Sequence, residues 1–384
     1  MEKAFFDLSS SDSQGTLAEP VSPADFDMGK YADYRAVLEE RCGRFWAASG
    51  GILVHRRFRV PQVFAGQCGD METSLALQLG ALKKSMDYAM DVPNFLEPWY
   101  GIGAVPAAYG AEYQWHGENA PATAPLFNTL EEALAHEPRE IEETPVGRHI
   151  INMINYFMEK TRGLLPLSLS DVQSPLNAAA ALVDTSEFYA ACIEEPELTE
   201  KLLDRVCGLT IRFCKKQAAI IGENLVFPGH GFSSCRSFGG AGFSDDNSIM
   251  LSPETHRDLC GPSMRAFADA FGGFAFHSCG DWSGRTETVK DLPGLKMVDG
   301  AFSPRTDPAP NPPGPFRASF AGTGICVNAR AVGSAGEVLG MVKELYGPGM
   351  KLIVVTYCPD PGEQDEVYRG IHELFEDPEY ENSR

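Results

Sequence analysis

The sequence predicts an α/β fold, a (β/α)8 TIM barrel with an N-terminal helical extension, on three observations. Short apolar runs alternate with helical patterns along the chain, as they do in parallel β/α units. The runs are almost continuously apolar, which is typical of strands buried on both faces. No G-x-G-x-x-G or Walker motif opens any unit, so a doubly wound nucleotide-binding fold is disfavoured. Roughly seven or eight such units can be counted, which favours a (β/α)8 barrel.

The N-terminal part, residues 1–90, is predicted to be an extension that packs on a barrel formed by residues 91–384. Its beginning is rich in Ser, Asp and Pro and indicates a loose lead-in. A helix is predicted over residues 72–90, because apolar residues recur there at helical spacing. These residues are Leu75, Leu79, Leu82 and Met86.

The first half of the barrel is predicted from four apolar runs that end in polar or Gly-rich loops. The runs lie within residues 94–101, 163–175, 223–231 and 240–246. A long helix is predicted between the second and third runs, because apolar residues recur on one face. These residues are Leu198, Leu202, Val206, Leu209 and Phe213.

The second half shows clearer start and stop signals. Ser252 is a predicted N-cap with Pro253 at the first helical position, and Ser334 with Glu337 predicts a capping box. A Pro-rich loop is expected at residues 303–316. The predicted strands lie within residues 273–280, 294–302, 317–328 and 350–362, and a final helix follows.

Composition excludes several classes of function. The 384 residues carry a net charge of −21, which repels phosphate backbones and argues against a nucleic-acid partner. No apolar run approaches the roughly 20 residues that span a bilayer, so no membrane association is expected. The acidic, polar N-terminus does not read as a signal peptide. We therefore expect a cytoplasmic protein whose ten cysteines are mostly reduced.

Soft metal ligands follow several predicted strands, at the end of a barrel where active sites form. His277 and Cys279 follow one apolar run, and Cys358 follows the last. One His with two Cys is a pattern of catalytic zinc sites, which keep a fourth position open, and thiolates select zinc over magnesium or calcium. Cys326 is an alternative to Cys358. Ordinary packing of buried thiols is the competing interpretation.

Other polar residues follow the predicted strands and are candidates for the same site. We predict catalytic roles for Asp171, Asp245 and His230, and substrate contacts for Glu97, Gln173 and Asp246. His230 is a candidate proton donor in a Gly-rich loop, and an exposed loop histidine is the alternative. Asp245 and Asp246 could equally form a solvated turn before the Ser252 helix. Glu97 is also considered as a fourth zinc ligand.

These motifs resemble the uroporphyrinogen decarboxylase superfamily and, within it, the cobalamin-linked methyltransferase branch. The resemblance runs over about residues 90–376, and "FHSC" at 276–279 is its most specific part. The other motifs are "SDVQSPLNAAAALVD" at 170–184, "GFSDDNSIMLSPETHRDLCGPSMR" at 242–265 and "YCPDPGEQDEVYRGI" at 357–371.

The resemblance implies a zinc ion held by His277, Cys279 and Cys358. It also implies transfer of a methyl group between a corrinoid of the methylcobalamin type and a thiol bound to zinc, or from a methylated small-molecule donor. The chain has no D-x-H-x-x-G cobalamin motif, so the corrinoid is expected on a partner protein. The identity of donor and acceptor, the direction of transfer and the oligomeric state, including a homodimer, are left open.

Two other functions are considered. A metal-free decarboxylase of the same superfamily would bind porphyrin carboxylates with an R-Q-A-G-R stretch, but "VHRRFRVPQ" at 54–62 is basic without matching it. The strongly acidic chain and the unexplained His277 and Cys279 also disfavour this function. A non-catalytic zinc-binding relative would keep the barrel and the metal without turnover. An open coordination position argues against a purely structural zinc.

Overall fold

The fold is known from a computed structural model, which describes residues 14–376. Six parallel strands form one sheet in the order β1-β6-β5-β4-β3-β2. No helix among these residues is long and apolar enough to cross a membrane. The strands are β1 (Gly51–Arg56), β2 (Ala241–Ser244), β3 (Phe274–His277), β4 (Leu295–Ala301), β5 (Cys326–Arg330) and β6 (Lys351–Thr356).

Helices surround the sheet, in the alternation that the apolar pattern predicts. They are α1 (Met28–Ala47), α2 (Met71–Ser85), α3 (Ala104–Ala108), α4 (Leu130–Ala135), α5 (Pro145–Lys160), α6 (Pro175–Ala180), α7 (Thr185–Glu194), α8 (Pro196–Ile221), α9 (Pro253–Phe271), α10 (Thr286–Lys290), α11 (Pro313–Phe320), α12 (Ala335–Leu345) and α13 (Pro361–Glu376).

Short irregular segments close the sheet into a barrel between β1 and β2. The Asp91 N–H donates to the Val54 carbonyl of β1, and isolated parallel bridges join Leu96 to Leu167 and Leu167 to Leu225. On the far side, the N–H of Gly242 in β2 donates to Pro228. The predicted barrel is confirmed, but its first half consists of these segments where regular strands were expected.

The helix start signals behave as predicted. The Ser252 side chain accepts the Thr255 N–H ahead of α9, with Pro253 at the first helical position. Ser334 and Glu337 form both hydrogen bonds of a capping box at α12. These contacts satisfy N–H groups that have no partner inside the helix.

Two boundaries differ from the prediction. Residues 317–328 were expected to be one strand, but α11 covers the first part and β5 begins only at Cys326. Pro313 at the first position of α11 starts the helix, and Gly322 and Gly324, both with positive φ, end the turn that follows it. Residues 303–316 are thus a loop only up to the start of α11.

The division into an extension at 1–90 and a barrel at 91–384 is also wrong in one respect. Strand β1 lies within residues 1–90, yet it pairs in parallel with β6 along its whole length. The end of this strand lies in the basic stretch at 54–62, which was compared above with the R-Q-A-G-R motif and was not assigned to a strand. The helical part of the extension does pack on the barrel. Cys42 and Phe45 of α1 belong to a buried cluster with Ile353 and Val355 of β6, which is called the interior cluster below.

Alternation along the strands decides which side chains enter the barrel. In β6, Ile353 and Val355 belong to the interior cluster, whereas Leu352 and Val354 pack toward the helices. Residues 229–238, called the interior segment below, add their own side chains to that cluster. These are Phe232, Cys235 and Phe238.

Close contact between the interior segment and β2 makes Gly242 sensitive to substitution. A Cβ at Gly242 would lie 2.5 Å from the Phe232 ring, which is buried. We expect Gly242→Ala to lower the free energy of unfolding by about 1–3 kcal/mol through overpacking, measured by urea denaturation. Gly261→Ala in α9 is the control, because a Cβ there meets no atom within 4 Å. An equal effect of both substitutions would contradict this account of the packing.

Candidate metal centre and active-site cavity

Three potential metal ligands converge at the carboxyl ends of β2 and β3. One ligand atom each from Asp246, His277 and Cys279 lies within 4.8 Å of the others. The Cys279 Sγ is 3.4 Å and the Asp246 Oδ1 is 3.5 Å from the His277 Nε2. Asp246 also accepts the Cys279 N–H at 2.8 Å, which holds the turn after β3 against the turn after β2. The arrangement offers a nitrogen, a sulfur and a carboxylate oxygen, a donor set that suits zinc.

Side chains of the neighbouring strands β4 and β5 hold the imidazole of His277 in place. In the strand register His277 of β3 lies beside Asp299 of β4, which lies beside Asn328 of β5. The Asp299 Oδ2 contacts the His277 Nδ1 at 2.6 Å and accepts a hydrogen bond from the Arg330 Nε at 3.0 Å. Asn328 donates to the other carboxylate oxygen. The carboxylate therefore holds the imidazole with Nε2 facing Cys279 and Asp246.

The charges in this group favour an ionised carboxylate. Burial would raise the pKa of Asp299, but Arg330, His277 and Asn328 outweigh it and hold the pKa below its usual range. Burial would likewise lower the pKa of His277, but hydrogen bonds to Asp299 and Cys279 raise it to about 10. These opposite shifts agree with an ion pair between the two side chains.

The ligand group opens into a cavity of about 410 Å³ at the barrel mouth. Arg57, Arg59 and Arg330 line it together with His277 and Cys279. The Arg330 Nη2 has no hydrogen-bond partner among residues 14–376, although the side chain is buried. Three guanidinium groups thus line the cavity beside Asp299 and Asp307, in a chain that is acidic overall, and they can bind an anionic group on a ligand.

A second polar group borders the same cavity and includes three of the predicted residues. The His230 Nδ1 contacts the Glu97 Oε2 at 2.6 Å, and its Nε2 lies 3.4 Å from the Asp171 Oδ2. Arg57 reaches the other oxygen of Glu97 at 3.3 Å. The imidazole thus bridges two carboxylates, and Phe64 packs against it with ring centroids 5.2 Å apart. Such an imidazole can hold or pass a proton at the cavity wall.

Hydrogen bonds fix the outer members of this group. Trp99 donates its indole N–H to Asp171 at 2.9 Å, and the Gln173 amide donates to the same carboxylate at 3.0 Å. Asn177 in turn donates to the Gln173 carbonyl oxygen. Gln173 therefore orients Asp171 and, through it, His230. Its predicted role as a substrate contact stays a prediction.

Asp245 has a different environment from its neighbour Asp246. Its carboxylate is fully buried, accepts from the Ser174 hydroxyl at 2.6 Å and contacts the His256 Nε2 at 2.7 Å. Both partners lie at helices outside the barrel, in α9 and at the N-terminus of α6. These contacts join α6 and α9 to the end of β2, and the catalytic role predicted for Asp245 finds no support in them.

The structure does not bring the third predicted ligand, Cys358, to the metal group. Tyr357 belongs to the interior cluster, so the next side chain turns outward. Cys358 accordingly packs with Leu352 and Val354 in the outer core, the cluster between the strands and the helices. It lines a separate cavity with Glu363, and burial raises the pKa of its thiol to about 11. Cys326 begins β5, at the opposite end of the strand from Arg330. Its proposed place at the rim is therefore wrong.

Three residues that position His277 were not predicted from the sequence, and these are Asp299, Asn328 and Arg330. Each lies inside a strand and in the inward register, two or four residues after an interior residue such as Met297 or Cys326. A polar residue at an inward position near a strand's carboxyl end is the signal that identifies them.

Glu97 provides a test of the His230 group through pH. Burial would raise its pKa, but His230 and Arg57 lower it to about 2. The depressed pKa contributes stability that is present above pH 4.5 and is lost as the pH falls toward 2. We expect the unfolding free energy of the wild type to lose about 3 kcal/mol over this range from this group, and Glu97→Gln to lose correspondingly less. Urea denaturation at stepped pH measures the difference.

The matched control for this measurement is Glu200→Gln, which alters an exposed carboxylate on α8. We expect this variant to follow the wild type across the whole pH range. If Glu97→Gln followed the wild type as closely, the ion pairs around Glu97 would not exist in solution.

Comparisons with known proteins show what this chain is similar to in sequence and in fold. Residues 98–226, about a third of the chain, match the family model of uroporphyrinogen decarboxylase (URO-D), and this match agrees with the resemblance drawn from the motifs. The match includes the predicted site residues Asp171 and Gln173. It begins one residue after Glu97 and ends before His230, His277 and Cys279. A search of curated protein sequences finds no match.

Among solved structures, the chain is similar to a methyltransferase from Methanosarcina mazei. The similarity has a TM-score of 0.60 and covers 88% of this chain and 99% of the other, at 14% sequence identity. At this identity the likeness establishes a shared fold, and function requires the site itself.

Proposed function

We propose that this protein is a zinc-dependent methyltransferase. It moves a methyl group between a corrinoid, carried by a partner protein, and a small thiol or a methylated small-molecule donor. The observation that carries this proposal is the convergence of Asp246 with His277 and Cys279, two residues that line the barrel cavity. The fold shared with the Methanosarcina methyltransferase supports a reaction of this type.

The donor atoms suit a zinc ion with an open position. His277 would supply Nε2, Cys279 a thiolate and Asp246 a carboxylate oxygen, leaving the fourth position to the substrate. When bound, zinc would supply Lewis acidity that lowers the pKa of a substrate thiol or polarises a donor heteroatom. Asp299 keeps the His277 Nε2 directed toward Cys279 and Asp246.

Other residues of the cavity would bind the substrate and accept its proton. Arg330 lines the cavity, and its buried Nη2 has no hydrogen-bond partner among the described residues, so its guanidinium suits an acidic group on the substrate. His230, between Glu97 and Asp171, is the candidate for accepting the proton that a thiol loses. We propose that these reactions take place in the cytoplasm.

Zinc content and methyl transfer test this proposal directly. Protein purified without chelators should contain about one zinc per chain by elemental analysis, matching the single ligand group among the described residues. With methylcobalamin and a small acidic thiol, the corrin absorbance should change at a rate that a zinc chelator abolishes. Protein without zinc, or turnover that ignores the chelator, would refute the proposal.

One observation favours a second candidate, a metal-free decarboxylase. Three arginines line the cavity, which suits a substrate with several carboxylates, and the matched family model carries the decarboxylase name. This function predicts release of CO2 from a tetrapyrrole or another acid, with no sensitivity to chelators. It leaves the proximity of Cys279 to His277 without a role.

A further inference from the structure

We infer that Asn328 is a positioning residue for the metal-binding histidine, and that the interior segment fixes its amide. Asn328 touches neither the cavity nor a proposed metal ligand, and its side chain is fully buried. It acts on His277 through Asp299. The inference rests on the proposed function, because it concerns the histidine of that metal site.

The direction of the Asn328 amide follows from its partners. The backbone N–H of Ser233 approaches the amide at 3.2 Å, and a backbone N–H can only donate. The atom that faces Ser233 must therefore be the carbonyl oxygen, and the NH2 group must face Asp299. This assignment needs no assumption about hydrogen positions.

The same reasoning continues to the histidine. The Asp299 Oδ1 accepts from the Asn328 amide, and its Oδ2 accepts from Arg330. Since both oxygens already accept hydrogen bonds from donors, the His277 Nδ1 at 2.6 Å must carry a proton and donate it. Only Nε2 is then left to bind a metal.

The interior segment gives Ser233 a fixed place inside the barrel. The Ser233 hydroxyl contacts the Nδ1 of His55 in β1 at 2.9 Å. Two internal hydrogen bonds of the segment, from Gly229 to the Ser234 hydroxyl and from Phe232 to the Gly229 carbonyl, hold the turn beside it. A line of hydrogen bonds thus crosses the barrel from β1, through the interior segment and β5, to the metal group.

Side-chain chemistry at position 328 is therefore restricted. The residue must accept from Ser233 and donate to Asp299, and among side chains of this size only an amide does both with one planar group. Leucine fills the same space but leaves the Ser233 N–H and one Asp299 oxygen without partners. Asp299 then keeps only its contacts with Arg330 and His277, so the orientation of His277 is less tightly fixed.

Zinc affinity of purified, metal-stripped protein tests the inference by competition with a chromophoric chelator. We expect Asn328→Leu to weaken zinc binding about 10–100-fold, as other changes behind a metal ligand do. The absorption spectrum of the Co2+ form should also change, because the histidine no longer holds one geometry. The matched control is Asn94→Leu, since Asn94 is a buried asparagine that bonds Phe58 and Arg56 and has no contact with Asp299.

Two further variants keep the test decisive. Ser233→Ala retains the backbone N–H that donates to Asn328, so it should bind zinc within about twofold of the wild type, well below the effect expected for Asn328→Leu. If Asn328→Leu fails to fold, Asn328→Ser replaces it, because a serine is too short to reach both partners. Equal affinities and equal Co2+ spectra for the Asn328 variant and the Asn94 control would overturn the inference. A wild type that binds no zinc would instead refute the proposed function, and the inference with it.

Discussion

Cys279→Ala should remove zinc and methyl transfer together while leaving the fold intact. Cys279 is exposed and lies after the end of β3, so its side chain contributes little packing. Its Sγ is nevertheless 3.4 Å from the His277 Nε2 and is the only sulfur in the ligand group among the described residues. We expect zinc affinity to fall more than about 100-fold, since even changes behind a ligand cost 10–100-fold.

Elemental analysis and chelator competition measure this loss, and denaturation of the metal-free proteins provides the check on folding. The unfolding free energy of metal-free Cys279→Ala should stay within about 0.5 kcal/mol of the wild type, as for other exposed substitutions. Cys326→Ala is the control, because Cys326 is buried at the start of β5. It should retain zinc even though it loses some stability. A Cys279→Ala protein that kept both metal and activity would remove the basis for the proposed function.

The position of His277 and Cys279 at the end of a strand could be predicted because the sequence signal for it is local. Both follow one apolar run, and the carboxyl end of a barrel strand is where such residues meet a substrate. Asp246 was placed among the candidates for the same reason, although its nearness to the metal group became visible only in the structure. Adjacent strands β2 and β3 bring the two turns together through sheet pairing that no sequence spacing encodes.

Cys358 and Cys326 show why the rest of the site was harder to predict. A shift of one residue along a strand moves a side chain to the other face. An apolar run therefore shows where a strand ends, but not which of its residues face the barrel interior. At the end of β6, Tyr357 takes the inward position that was expected of Cys358. For Cys326 the error was the strand boundary, which moved the residue from one end of the barrel to the other.

Asp299, Asn328 and Arg330 illustrate a further limit. Their hydrogen bonds depend on the relative register of β3, β4 and β5, which sets His277 beside Asp299 and Asp299 beside Asn328. The register follows from packing of the whole barrel. A single sequence can show that such residues are polar and lie at inward positions. It cannot show which of them form hydrogen bonds with one another.

The two possible third ligands make opposite predictions. The structure brings Asp246 to His277 and Cys279, whereas Cys358 was implied by the family resemblance and lies in the outer core. Asp246→Asn keeps the shape and an oxygen for the Cys279 N–H, yet removes the charge that a cation favours. We expect it to weaken zinc binding about 10–100-fold, in the range seen when groups around a metal are altered.

Cys358→Ala is the matched comparison, and we expect zinc affinity to stay within about twofold of the wild type, well below the effect of an altered metal environment. Cys358 packs in the core and lies outside the ligand group formed by Asp246, His277 and Cys279, and burial raises the pKa of its thiol to about 11. Chelator competition on both variants, with the Co2+ spectrum as a second measure, separates the ligand sets. Thiolate ligation gives intense sulfur-to-cobalt absorption, whose strength should be unchanged in Cys358→Ala. The reverse pattern, with zinc lost in Cys358→Ala and kept in Asp246→Asn, would mean that residues 357–360 reorganise when the metal binds.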